Sequence, residues 1–215
     1  MLRPNERDKV LTRAELKLQT RAAIMKSAEK HFFSVGYQGT SLADVASDSG
    51  IKVPLIVYHF KNKEELWKEC VNNVFEKLDK ALAKMFNQIN ELSGADYIRA
   101  LLKGYIQSTA EAPEYMRLLF IEGTLPSDRL TWLVDTHQRR QSDMIMDIIR
   151  QAQAAGIFKR VDVIHAKYIL ASAVGAPFVL APEFALMTGK SAMQQEVIDT
   201  HVETCMTLLF DLPTD

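Results

Sequence analysis

The chain of 215 residues lacks most of the features that announce a particular chemistry. It has only two cysteines, Cys70 and Cys205, far apart and without neighbours, so neither a disulfide framework nor a cysteine zinc site can be built; a reducing compartment is expected. Its nine glycines are scattered, and none forms a Gly-rich phosphate loop or a nucleophile elbow. Clusters at metal-ligand spacing are missing as well. The nearest things to acid–base sets are weak: His31 close to Glu29, and His165 three residues after Asp162 and near Tyr168. Helical spacing does not make these a catalytic group, and Asp162 reads better as the start of a helix. The expectation is a protein that is not an enzyme and that carries no cofactor and no metal.

Long hydrophobic runs are also missing. No stretch approaches the roughly 18 apolar residues that a membrane helix needs. The opening MLRPNERDKV has charges where a signal peptide has its apolar stretch. A cytoplasmic protein with no membrane partner is expected. Alternating β-branched runs, repeats and low-complexity segments are absent too, so sheet architectures and solenoids drop out.

What remains is an ordinary globular composition, 47% hydrophobic and 25% charged, with an uneven charge distribution. Residues 1–70 hold 12 Lys and Arg against 9 Asp and Glu, a net of +3, and residues 71–215 hold 14 against 18, a net of −4. A basic first part on an acidic remainder fits a polyanion partner for the first part alone, although chance scatter of surface charge gives the same totals.

Apolar periodicity predicts helices almost throughout. Ile24, Ala28 and Phe32 recur at four-residue spacing ahead of Gly36, a candidate left-handed cap, giving a first helix at about 14–35. Ser41 and Asp44 stand in capping-box register for a short second helix that Gly50 ends. Proline suits a first helical turn, so Pro54 places the start of a third, ending by about His59. Asn62 caps a fourth, to about 87, and further segments follow at about 95–110, 113–122, 128–155, 162–181 and 191–210.

Three short helices, the last two joined by a glycine turn, are a helix-turn-helix, whose later helix enters the DNA major groove. Ile56 and Phe60 face an inner core with Leu42, Val45, Ile24 and Phe32. Lys52, Val53, Pro54 and Leu55 form the leading end of the groove helix. Tyr58 and His59 lie beside the phosphate backbone, and Lys63, at the next helix start, adds a cation to free N–H groups.

The same residues carry a family resemblance. IMKSAEKHFFSVGY (24–37), TSLADVA (40–46) and GIKVPLIVYHFKNKEEL (50–66), in this order and spacing, resemble the TetR family of transcriptional regulators, at motif level over about residues 18–70. The resemblance implies an all-α fold: an N-terminal three-helix helix-turn-helix DNA-binding domain (1–62) joined to a C-terminal helical ligand-binding and dimerisation domain (63–215). Thr40, Ser41, Tyr58, His59 and Lys63 would then touch phosphates. Lys52, Val53, Pro54 and Leu55 would face the bases. The sequence departs from many members at Lys52 and Pro54. Its Leu42, Val53 and Leu55 stand where several members have polar base readers, which implies reading through thymine-methyl contact, Lys52 and DNA shape.

For the remainder, the resemblance implies a homodimer with an effector pocket. Ile198, Val202, Cys205 and Leu209 form an a/d-like seam that suits a dimer interface or an intramolecular core seam. Together with the Ala- and Gly-rich AKYILASAVGAPFVLA, the seam could supply two helices per subunit to a four-helix interface. Tyr105, Met116, Phe120, Trp132, His137, Met144 and Phe178 could line a site for a small, largely apolar effector, or simply pack the core. Arg139 and Arg140 could pair an acidic effector group or solvate a face. The implied function is a dimeric, effector-released repressor of a double-stranded palindromic operator. The alternative is an effector-independent helix-turn-helix protein with an architectural role.

Overall fold

Thr12 opens the first helix with a capping box: its hydroxyl accepts from Glu15 N at 3.2 Å and its own N–H donates to the Glu15 carboxylate at 2.7 Å. The computed structural model describes residues 12–211, all helices and connections apart from one isolated β-bridge, Phe158 to Phe210. The charged opening stretch MLRPNERDKV lies outside them. The described residues form two compact units that divide between Asn73 and Val74.

The first unit holds α1 (Arg13–Gly39), α2 (Leu42–Ser49), α3 (Val53–Phe60) and the start of α4 (Lys63–Ile89). Gly36 does not end α1 as a left-handed cap. Its φ of 75° comes with ψ of 175°, which kinks the chain before one more turn reaches Gly39. Gly50, at φ 70° and ψ 14°, is a true left-handed cap, and it lets Ile51 N reach back to Ala46 O at 3.2 Å. Pro54 lies in the first turn of α3, where its missing N–H costs nothing. Ile24, Ala28, Phe32, Val45, Ile56, Phe60 and Trp67 are almost wholly buried and form one small core. The buried Ser27 hydroxyl donates to Val45 O at 3.2 Å and ties α1 to α2.

The second unit holds the rest of α4, then α5 (Gly94–Glu111), α6 (Pro113–Glu122), α7 (Asp128–Leu133), a π-helical turn (Val134–Gln138), α8 (Arg139–Ala154), α9 (Val163–Val179), α10 (Ala181–Thr188) and α11 (Gln195–Leu209). The expected segment at 128–155 is therefore one helical run with a π-turn inside it, an insertion frequent at functional sites. Asp162 accepts from Ile164 N and His165 N at 3.0 and 3.1 Å, so it caps α9. Sequence reading missed α10. Pro182, just beyond the expected segment 162–181, lies in the first turn of that helix.

α5 packs on α9 and α11, and α9 on α6 and α8. Their inner faces bury Leu102, Ile106, Ile149, Val174, Phe178 and Val202. Among the described residues no single helix is long and apolar enough to cross a membrane. α9 and α10 together reach that length and composition but are bent by 68°.

Candidate nucleic-acid interface and effector cavity

α3 is apolar on both sides, which a purely structural helix at a surface would avoid. Ile56 and Phe60 are buried, while Leu55, Val57 and Tyr58 stand 42%, 40% and 70% exposed. An outward apolar strip on a short helix needs a partner surface. Lys52 and Pro54 are exposed at its leading end, and Val53 is half-buried. A shallow concavity beside them is lined by Thr20, Gly50, Ile51, Lys52, Pro54, Leu55 and Tyr58.

The flanking contacts differ in kind. Ser41 is exposed and its hydroxyl closes a capping box with Asp44, donating to the carboxylate at 2.6 Å and accepting from Asp44 N at 3.1 Å. The Ser41 hydroxyl and the Ser41 N–H, which donates to the same carboxylate at 2.8 Å, hold the Asp44 carboxyl below the usual range. Thr40 is a correction: its side chain is buried and its hydroxyl donates to Gly36 O at 2.9 Å, bracing the kink of α1 instead of facing outward. His59 is half-buried against Tyr58, with ring centroids 5.3 Å apart. Burial, then Lys17 and Arg21, push its pKa down, so at neutral pH it offers an N–H and no charge. The Lys63 ammonium lies over the Tyr37 ring, 4.1 Å from the centroid, at the start of α4, where Asn62 Oδ1 accepts from Glu65 N at 2.8 Å. The Tyr37 ring thereby fixes where that cation stands.

Val57, Thr20 and Lys17 were not anticipated. Lys17 reaches to 5.7 Å from the Tyr58 ring centroid. Nothing in its spacing on α1 marks it; only the packing of α1 against α3 brings it there.

The second unit contains a cavity of about 100 Å³. Its walls are helical stripes: Leu78, Leu82, Met85 and Phe86 on α4; Ile98, Leu101, Leu102 and Tyr105 on α5; Gln141, Met144, Ile145, Ile148, Ile149 and Ala152 on α8. Tyr115, Phe158, Leu170 and Phe210 close it. Of the seven candidate lining residues, Tyr105 and Met144 are present and five are elsewhere. Met116 and Phe178 are buried in packing, Met116 beside Gly175 and Phe178 edge-on to His201 at 5.8 Å. Phe120 is 41% exposed. Trp132 and His137 form an aromatic group with Phe75, the His137 ring stacked on Phe75 at 4.3 Å and edge-on to Trp132 at 5.4 Å. Burial there lowers the His137 pKa. Composition drew attention to aromatics and methionines, but the walls are mainly aliphatic. The legible signal was the three-and-four spacing on α4 and α5. Arg139 and Arg140 are exposed and pair with Asp135 and Asp79, at 2.7 and 2.6 Å, away from the cavity.

The seam on α11 also needs correction. Ile198, Val202 and Cys205 are buried within the unit's own core, and Leu209 packs partly against it, so the seam faces inward. α11 turns Thr200, Thr204, Thr207 and Leu208 outward. The three hydroxyls each donate to the carbonyl four residues back, at 2.7–2.9 Å, which leaves their methyl groups to present the surface. On α9 the outward residues include Ile164, Tyr168 and Ile169, 42–62% exposed.

Comparison with known proteins agrees with this architecture. Residues 24–70 match the tetR family of bacterial regulatory proteins, and residues 95–208 match the tetracyclin repressor-like C-terminal domain. The probable helix-turn-helix-type transcriptional regulator YttP of Bacillus subtilis is 22% identical over 169 residues, 79% of this chain and 81% of the relative. The helix-turn-helix-type transcriptional regulator TtgR of Pseudomonas putida is 34% identical over 84 residues, 39% of this chain and 40% of its own length. The crystal structure of AibR in complex with isovaleryl coenzyme A and operator DNA shares the fold, with a TM-score of 0.69 at 16% identity, covering 89% of this chain and 98% of that one. With both matched segments lying on the two units described, the chain belongs to the tetR family of bacterial regulatory proteins and is a DNA-binding transcriptional regulator of the helix-turn-helix type.

Proposed function

We propose that the protein is a cytoplasmic homodimeric repressor that leaves a palindromic operator when a small molecule fills the cavity of the second unit. The observation that carries the reading is the coexistence of an outward apolar and cationic α3 face in one unit with a largely apolar cavity in the other. In this reading Lys52, Val53, Pro54, Leu55 and Val57 face base edges. Ser41, Tyr58, His59 and Lys63 hold the backbone, a division of labour in which phosphate contacts set register and base contacts set sequence. Thr40 acts one step back, by bracing the kink of α1.

Dimerisation supplies the second groove helix. The outward faces of α9 and α11, with Ile164, Tyr168, Ile169 and the threonine methyls around Leu208, support a second copy as their occupant. Ligand entry then shifts the balance between dimer arrangements by its differential affinity for them, and the chain works by binding, not turnover. AibR, crystallised with an acyl coenzyme A and operator DNA, is a protein of this fold with both kinds of partner.

Selection from a random duplex pool tests the reading. The expected product is an inverted repeat whose half-sites lie about one helical turn, roughly 34 Å, apart or a multiple of it. Recovery of sequences with no common site would overturn it.

A further inference from the structure

The cavity has a polar end that the fold leaves incomplete. Gln141, 6% exposed, projects from the first turn of α8, just after the π-turn, and lines the cavity. Its Oε1 accepts from the Tyr115 hydroxyl at 2.9 Å, and its Nε2 is buried with no hydrogen-bond partner. Turning the amide over does not remove the imbalance. The pair has two amide hydrogens and one phenol hydrogen, and one bond between them leaves surplus donors in either orientation. Buried donors that fold without an acceptor are uncommon, and one carried by a residue of a cavity wall is open to an acceptor brought by a water or a ligand.

We propose, resting on the effector reading above, that the cavity takes an uncharged, largely apolar molecule with one hydrogen-bond acceptor, a ketone or ester oxygen, and that Gln141 is the group that receives it. Among the described residues no charged side chain lines the cavity. A carboxylate would be buried there without a counter-charge, and an ammonium would meet a site already rich in donors. The second polar wall is also neutral. The Tyr105 hydroxyl faces only the weakly accepting Met116 sulfur at 4.0 Å, and burial pushes its pKa up to about 12. Burial pushes Tyr115 in the same direction, so both phenols keep their protons. Size limits the ligand further. The free space of about 100 Å³ is below the roughly 150 Å³ that holds benzene in an engineered apolar cavity. A six-membered ring therefore enters only if side chains yield, and the unbranched Met85 and Met144 in the walls are suited to that.

Three probes of similar shape test the proposal on the full chain: cyclohexanone, methylcyclohexane and cyclohexanecarboxylate. Binding is read from the methyl resonances of Met85 and Met144, and operator release is read in parallel by fluorescence anisotropy. Gln141→Leu should weaken cyclohexanone by about tenfold and leave methylcyclohexane unchanged or tighter, as expected for one lost hydrogen bond to an otherwise unpaired donor. The carboxylate should leave the resonances in place. Gln141→Met, of matched volume, should behave like Gln141→Leu, which guards against repacking of one variant. Equal effects on both neutral probes, tight binding of the carboxylate, or no shift with any probe would overturn the proposal. Release by cyclohexanone at an unchanged concentration in Gln141→Leu also removes it while the effector reading stands. Gln141-dependent binding with no release removes the effector reading and leaves this contact standing.

Discussion

His201 on α11 gives its Nε2 proton to the carbonyl of Ala173 on α9, at 2.9 Å. The carbonyl is available because the residue four positions on is Pro177, which has no N–H to return to it. Since the carbonyl can only accept, the contact also fixes the His201 tautomer. A helix defect in α9 is thereby turned into a cross-link to α11, and the Cys205 sulfur lies 3.6 Å from the same nitrogen.

The cross-link predicts a coupling between Pro177 and His201. Replacing His201 by Phe should cost about 1 kcal/mol or somewhat more, because a part-buried carbonyl loses its donor. In a Pro177→Ala background the restored N–H takes over the Ala173 carbonyl, and the same His201→Phe change should cost about 1 kcal/mol less. Urea unfolding at a fixed protein concentration, with all four proteins of the cycle, measures the difference. Costs that simply add would show that His201 acts through packing alone.

The inward seam and the outward faces of α9 and α11 should respond oppositely to charge. Val202→Asp places an unpaired carboxylate in the core and should cost on the order of 3–5 kcal/mol, a large part of the roughly 5–15 kcal/mol that stabilises a domain. Tyr168→Glu with Ile169→Glu should keep the helical circular dichroism but give monomers by light scattering. If the double variant stays dimeric, the second copy does not sit on α9.

On DNA, Lys63 and Leu55 should separate positioning from reading. Lys63→Ala should weaken operator and random duplexes alike. A phosphate contact contributes roughly 0.9 to the slope of log affinity against log salt, so a dimer losing two should lose about 1.8. Leu55→Ala should leave the slope alone and change preference at one symmetric base position by about 1–3 kcal/mol. Anisotropy across a salt series measures both. A Lys63→Ala protein with altered base preference and an unaltered slope would mean that the start of α4 does not lie on the backbone.

Local chemistry in the sequence determined the helices and the helix-turn-helix. The Ser41–Asp44 box, the Gly50 cap, Pro54 in a first turn and the Asn62 cap each act over about four residues, so a linear reading reaches them. Gly36 shows the edge of that reach: its positive φ was legible, but the ψ that carries the chain on to Gly39 was not. What only tertiary structure decided is which face of each helix meets which neighbour. The repeat of Ile198, Val202, Cys205 and Leu209 is equally consistent with a partner subunit and with the chain's own core, because periodicity marks a buried face without naming what buries it. The cavity follows the same rule. Leu78, Leu82 and Ile98 have the spacing of ordinary core residues, and a void is a shortfall of volume among three helices that no single segment encodes. Gln141 reads as one polar residue in a charged stretch until Tyr115, 26 positions away, pairs with its oxygen and leaves its nitrogen buried without a partner.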